Sequence, residues 1–194
     1  LDLGGIAKGY TADACRDLAV AMRACGVLVS VGTSSVSVFG TRADGSSWRA
    51  GLRDPQGGPT SVAGIVELPA GGMASLSTSG DNLGPLGVLA PEVVGRAAGS
   101  VSDRRARETS RETSVGDGRV FDHHIIDPRT GYPAHAGVRQ VSVVASSGVL
   151  AEALSTALLV DPSIDVPDVV VRWARETGAP ASAKVVGLVR AEQS

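Results

Sequence analysis

VLVSVGTSSVSVF, residues 27–39, is the stretch whose reading decides the fold. Val27–Val31 is a short apolar run rich in β-branched residues, and Ser35–Phe39 alternates with a period of two, so both read as strands. Ala43–Asp44–Gly45–Ser46 supplies a turn. Further out, Trp48–Arg53 and Ser61–Leu68 read as two more strands and Met73–Ser77 as another. Short strands in close succession predict a meandering, largely antiparallel sheet. On the N-terminal side, apolar residues recur at Ile6, Tyr10, Ala14, Leu18, Ala21 and Cys25, a helical stripe that Gly26 would stop. On the other side, Ser79–Pro91 is rich in Gly and Pro and reads as loop. Order is expected again over Val120–Ile126. Val138–Ala145 alternates like a strand, Gly148–Val160 and Val166–Thr177 read as helices, and Ala183–Arg190 reads as a closing strand. The expected class is α+β, a largely antiparallel sheet with packed helices.

A chain of 194 residues suits a single domain, and 43% hydrophobic residues suffice for a core. The net charge of −2 removes the electrostatic argument for nucleic acid, and 3% aromatics gives little surface for base stacking. Residues 100–118 are polar, with interleaved acids and bases, and are expected to form a solvated, flexible insertion rather than a basic docking patch. Cys15 and Cys25, if on one helix, lie about 15 Å apart, beyond the ~7 Å reach of a disulfide. They are expected to be buried small apolar residues. No stretch is apolar enough to span a bilayer and no signal peptide is visible. The abrupt opening Leu1–Asp2–Leu3–Gly4–Gly5 leads us to expect that a natural N-terminus lies further upstream, so the compartment, cytoplasmic or exported and anchored, stays open.

Four segments could carry chemistry. In Asp2–Tyr10, two glycines open a helix, which leaves backbone N–H groups and close approach for an anion, with Lys8 one turn in. A plain helix cap with a Gly-rich turn has the same spacing. In Ser77–Asp81, short hydroxyls before Gly80 can line a pocket or simply form a turn. In His123–Pro133, Asp127–Pro128–Arg129–Thr130–Gly131 is turn chemistry. A histidine beside so rigid a turn is placed to act as a base, or is only a surface histidine. In Ala151–Ala157, Glu152 and Thr156 are i and i+4 on one helix face. They offer hard oxygens suited to Mg²⁺ or Ca²⁺, unless they merely face solvent.

The order of these segments is more specific than any one of them. DLGGIAKGY, a strand with a VGT turn, TSGD, HIIDPRTGYP and AEALSTAL, running from residue 2 to about residue 160, together resemble the ApbE family of FAD:protein FMN transferases. The resemblance implies an ApbE-like, T-fold-like architecture of which this chain is the C-terminal portion, the N-terminal part being absent. It implies FAD as substrate, Mg²⁺ as cofactor and an acceptor protein with a Ser/Thr flavinylation site as partner. Position by position, it implies FAD contacts at Asp2 and Lys8, with Thr78 and Gly80 of TSGD also in the cofactor site, and a flavin contact at Ile126. It implies metal ligation by the Gly5 carbonyl, Glu152 and Thr156, with Ser155 adjacent, and a base at His124 that takes the proton of the acceptor hydroxyl.

The implied reaction is transfer of FMN from FAD to that hydroxyl with release of AMP. The alternatives are an FAD-binding module without turnover and a pyrophosphatase giving FMN and AMP. Two local departures from the family pattern bear on this. The metal-binding Asp is here Glu152, longer by one methylene, and the second Gly of the VGG turn is Thr33, which would be strained if that position needs a positive φ.

Overall fold

The computed structural model describes residues 3–57, 60–80 and 124–190. Asp2, His123 and the proposed insertion at 100–118 lie outside the described residues. Helix α1 (Ala7–Ala21) is followed by β1 (Gly26–Val31), β2 (Ser35–Gly40), β3 (Arg49–Arg53), β4 (Val62–Glu67) and β5 (Met73–Gly80). Then come β6 (Val138–Ala145), α2 (Gly148–Val160), α3 (Val166–Thr177) and β7 (Ala183–Arg190). Five strands form one sheet in the order β1-β2-β5-β6-β7, every neighbouring pair antiparallel, while β3 and β4 pair as a separate hairpin.

The sheet has two differently built faces, because side chains alternate along a strand. On one face Val36, Val38, Ala74, Leu76 and Val144 pack with Leu52, Leu68, Trp48 and Val66, so the β3–β4 hairpin covers that side. On the other, Val141, Val143 and Ala145 of β6 pack under Leu150, Ala151, Leu154, Leu158 and Leu159 of α2. Burying each of those leucines is worth roughly 1.5–3 kcal/mol, which fixes α2 firmly. Towards β2 and β5 the helix-facing positions change to Ser35, Ser37, Ser75 and Ser77, all at most 1% exposed, with Ser35 opposite Ser77 and Ser37 opposite Ser75. Asp13 of α1 meets this serine floor: its Oδ1 accepts from Ser37 Oγ at 2.7 Å, Ser75 Oγ at 2.9 Å and Arg16 Nη1 at 2.9 Å.

Several features differ from the sequence expectations or resolve a condition they left open. The apolar stripe of α1 faces outward: Tyr10 and Leu18 are 67% and 63% exposed, and the buried positions are Gly9, Ala12 and Arg16. Small and polar residues point inward because the surface below them is polar and close. The helix also ends at Ala21, short of Cys25. Cys15 and Cys25 are free and exposed rather than buried. Ser79 and Gly80, expected in a loop, extend β5, where they pair with Val141 and Gln140. At the β1–β2 turn the left-handed residue is Gly32, with φ 63°, and the only described non-glycine with positive φ is Arg23, so Thr33 carries no such strain.

Candidate active site

α1 and α2 cross backbone to backbone. A methyl placed on Gly9 would run into the Gly148 carbonyl, and one on Gly148 into Gly9, so both positions require glycine. Each helix then satisfies an amide in the first turn of the other, a group its own helix cannot reach. Asp13 Oδ2 on α1 accepts from Gly148 N at 2.6 Å, and Glu152 Oε2 on α2 accepts from Gly9 N at 2.5 Å. The other Glu152 oxygen meets Lys8 Nζ at 2.5 Å. Glu152, at 1% exposure, is therefore interior and fully engaged.

Beside this crossing lies a cavity of about 350 Å³ lined by Gly4, Gly5, Lys8, Ser34, Thr78, Ser79, Gly80, His124, Ile125, Ile126 and Thr156. Gly5 packs on Thr156, such that a methyl on Gly5 would lie 3.7 Å from Thr156 Cγ2. Ser79 Oγ lies 3.0 Å from Thr156 Oγ1 and 2.9 Å from Ser155 Oγ. Ser155 itself is fully buried, bonded to Ser77 Oγ and the Glu152 carbonyl, and does not line the cavity. Thr78 shares a hydrogen bond of 2.8 Å with Ser142.

His124 and Ile126 are delivered by a tight turn. Asp127 Oδ1 accepts from the Arg129 amide at 2.9 Å, its carbonyl accepts from Gly131 N at 2.8 Å, and Gly131 takes the left-handed conformation with φ 78°. Bridging of Ile126 to Pro133 closes the base of the turn. Arg129 grips Asp127 at 3.0 Å and reaches Asp161, just past α2, at 3.3 Å, which docks the turn on that helix. The Arg129 side chain, through its hydrogen bonds and then its charge, holds the Asp127 carboxyl below its ordinary value of 3.8. The same turn and α2 enclose an adjoining, mostly apolar groove of about 460 Å³ that shares Gly5, Ile126 and Thr156 with the first cavity.

The structure thus brings Gly5, Lys8, Thr78, Gly80, His124, Ile126 and Thr156 to one cavity. Glu152 stands behind its wall, held by Lys8. Ser79, one of the short hydroxyls expected before Gly80, lines the cavity as well, and so does Ser34, which was not singled out from sequence. The signal for Ser79 was present: it continues the Ser75–Ser77 alternation on the helix-facing side of β5. Among the described residues, no three His, Cys, Asp or Glu side chains group as a metal site, and no helix is long and apolar enough to cross a membrane.

The ApbE family model matches residues 1–84 and 87–179. The chain belongs to the ApbE family. An FAD:protein FMN transferase of Treponema pallidum is 34% identical over 173 residues, covering 82% of this chain and 37% of that protein. One from Rhodobacter capsulatus is 33% identical over 168 residues, covering 86% and 25%. Among solved structures, an ApbE protein from Thermotoga maritima matches with a TM-score of 0.61 at 29% identity, over 99% of this chain and 51% of that one. The present ApbE chain spans between a quarter and about half the length of these relatives. The shared fold is α+β with a mostly antiparallel sheet.

Proposed function

We propose that this ApbE chain carries part of a site that transfers FMN from FAD to a Ser or Thr hydroxyl of an acceptor protein, with Mg²⁺ and release of AMP. The observation that carries this reading is the convergence of Gly5, Lys8, His124, Ile126 and Thr156, from three distant segments, on one cavity. His124, exposed at the cavity, would take the proton of the acceptor hydroxyl. The hydroxyl oxygen would bond to the FMN-side phosphorus as the bridging P–O bond breaks, and AMP would depart with that electron pair. Asp2 and Lys8 would contact FAD, with the Lys8 charge suited to its pyrophosphate, and Ile126, 46% exposed, would offer an apolar surface to the flavin ring. Thr78 and Gly80 would line the same pocket.

For a divalent cation the donor chemistry fits: the Glu152 carboxylate, the Thr156 hydroxyl and the Gly5 carbonyl are hard oxygens, and Gly5 packs on Thr156. These residues would hold Mg²⁺, and its charge would offset what builds on the pyrophosphate as AMP leaves. Ser155 would support the set from behind through Ser79.

The test is to incubate the protein with FAD, Mg²⁺ and an acceptor bearing a Ser/Thr-Gly-Ala-Thr type motif, then weigh the products. An acceptor heavier by FMN supports transfer. AMP and FMN with unmodified acceptor point to hydrolysis, and bound FAD without turnover points to a binding module. If a chain of the relatives' full length containing these residues also leaves the acceptor untouched, the transferase reading is lost. His124→Ala is expected to slow transfer by about 10²–10⁴-fold while flavin fluorescence still reports FAD binding at wild-type affinity.

A further inference from the structure

Both oxygens of Glu152 are occupied, but by partners of different mobility. Gly9 N–H belongs to the backbone of α1, pressed against Gly148, and cannot withdraw alone. Lys8 hangs on a flexible four-carbon stem, its side chain is 42% exposed, and it lines the cavity. Oε1 is therefore the exchangeable side of the carboxylate. Thr156 lies one helical turn beyond Glu152 on α2 and lines the cavity with Lys8, and Ser79 Oγ is 3.0 Å from its hydroxyl, so the cavity that Lys8 faces carries further hard oxygens. An ammonium and a divalent cation cannot share one carboxylate oxygen without strong like-charge repulsion. A phosphate entering the cavity gives Lys8 another anion to hold.

We propose that Lys8 gates Glu152: the Lys8 ammonium and a divalent cation are alternative partners of Oε1, and the phosphates of the dinucleotide open the carboxylate to the cation by drawing Lys8 away. The inference deepens the flavin-transfer reading and rests on it. It implies an order, phosphate before cation, and a positive coupling between the two. Because coupling between two ligands is reciprocal, FAD tightens the cation by the same factor as the cation tightens FAD.

Lys8 and Lys184 are the chain's two lysines, and Lys184 lies exposed on β7, which provides an internal reference. The wild-type protein is pulsed with an acetylating ester, and the Lys8:Lys184 labelling ratio is read by mass spectrometry. Saturating Mn²⁺ alone should raise that ratio several-fold by freeing Lys8, and FAD alone should lower it. In parallel, Mn²⁺ binding is followed by electron paramagnetic resonance in wild type, Lys8→Met and Glu152→Gln. Lys8→Met should bind Mn²⁺ about tenfold tighter than wild type without FAD, and should lose most of the tightening that FAD gives wild type, a factor within the usual 5–150-fold range of such couplings. Glu152→Gln should lose the Mn²⁺ site. A labelling ratio indifferent to saturating Mn²⁺, or no Mn²⁺ binding at all, overturns the gate. So does a Lys8→Met affinity without FAD equal to wild type. If Lys8→Met does not fold, the labelling of wild type decides alone. Flavin fluorescence in the same samples separates the two ideas: FAD binding absent here and in a chain of the relatives' full length sinks the transferase reading, whereas bound FAD with an indifferent Lys8 sinks only the gate.

Discussion

Ser35 and Ser37 point the same way from β2, yet removing their hydroxyls should have opposite effects. Ser37 Oγ donates to Asp13, whereas Ser35 Oγ is buried with no hydrogen-bond partner among the described residues. Ser35→Ala is expected to be neutral or to stabilise by about 1 kcal/mol, and Ser37→Ala to destabilise by about 1–3 kcal/mol, since it takes one donor from a buried carboxylate. Urea denaturation of the two variants reads this directly. Glu152→Ala belongs with Ser37→Ala: it strips the Gly9 amide and Lys8 of their partner, at a cost of about 1–3 kcal/mol in the same assay. Glu152→Asp, one methylene shorter, should draw the carboxylate back from Lys8 and strengthen Mg²⁺ dependence. Unchanged metal affinity in both Glu152 variants would remove Glu152 from the ligand set. The i, i+4 relation of Glu152 and Thr156 was legible in the sequence, but the burial of Glu152 was not. A glutamate on a helix reads as solvent-facing, and its partners lie 144 and 143 residues away.

At the scale of elements, the helix α1 shows what patterning conveys and what it leaves out. Its apolar period was readable, but the inward direction was not, because hydropathy assumes an oily surface below a helix and this one rests on serines and on the backbone of α2. For the same reason β2 and β6 were readable from alternation and β1 from its apolar, β-branched run, while the last residues of β5, rich in Ser and Gly, looked like loop. Gly9→Ala tests the contact. Alanine favours a helix by about 1 kcal/mol, yet here its methyl meets the Gly148 carbonyl, so the variant should lose about 1–3 kcal/mol by overpacking, seen as a lower Tm. The turn at Asp127 is expected to respond to acid. Its carboxyl is held low chiefly by the Arg129 side chain, so its stabilisation is present above the unfolded value of 3.8 and lost as pH falls through the lower folded value. Amide shifts of Arg129 and Gly131 should move below pH 3.8, with Asp127→Asn removing most of the transition. The remainder belongs to Asp161, which is lowered chiefly by Ser163 and also faces Arg129.

At the scale of the whole molecule, several large apolar residues are exposed among the described residues. Leu3, Tyr10, Leu18 and Met22 are exposed on or beside α1, and Leu28 is exposed on β1, an edge strand whose outer side has no neighbour among the described residues. Apolar surface beside an open strand edge favours association. The 194-residue chain is expected to self-associate with rising concentration, and the double substitution Leu18→Lys, Met22→Lys to shift it towards monomer, as read by light scattering. The opposite side of α1 has a different fate. The reciprocal clasp, Asp13 on the Gly148 amide and Glu152 on the Gly9 amide, ties the openings of two helices distant in sequence to a single event. Neither amide can meet solvent until the helices part, so in deuterium exchange both protons should leave at one common, slow rate, and the chain segments carrying Lys8 and Thr156 should open and close as one unit.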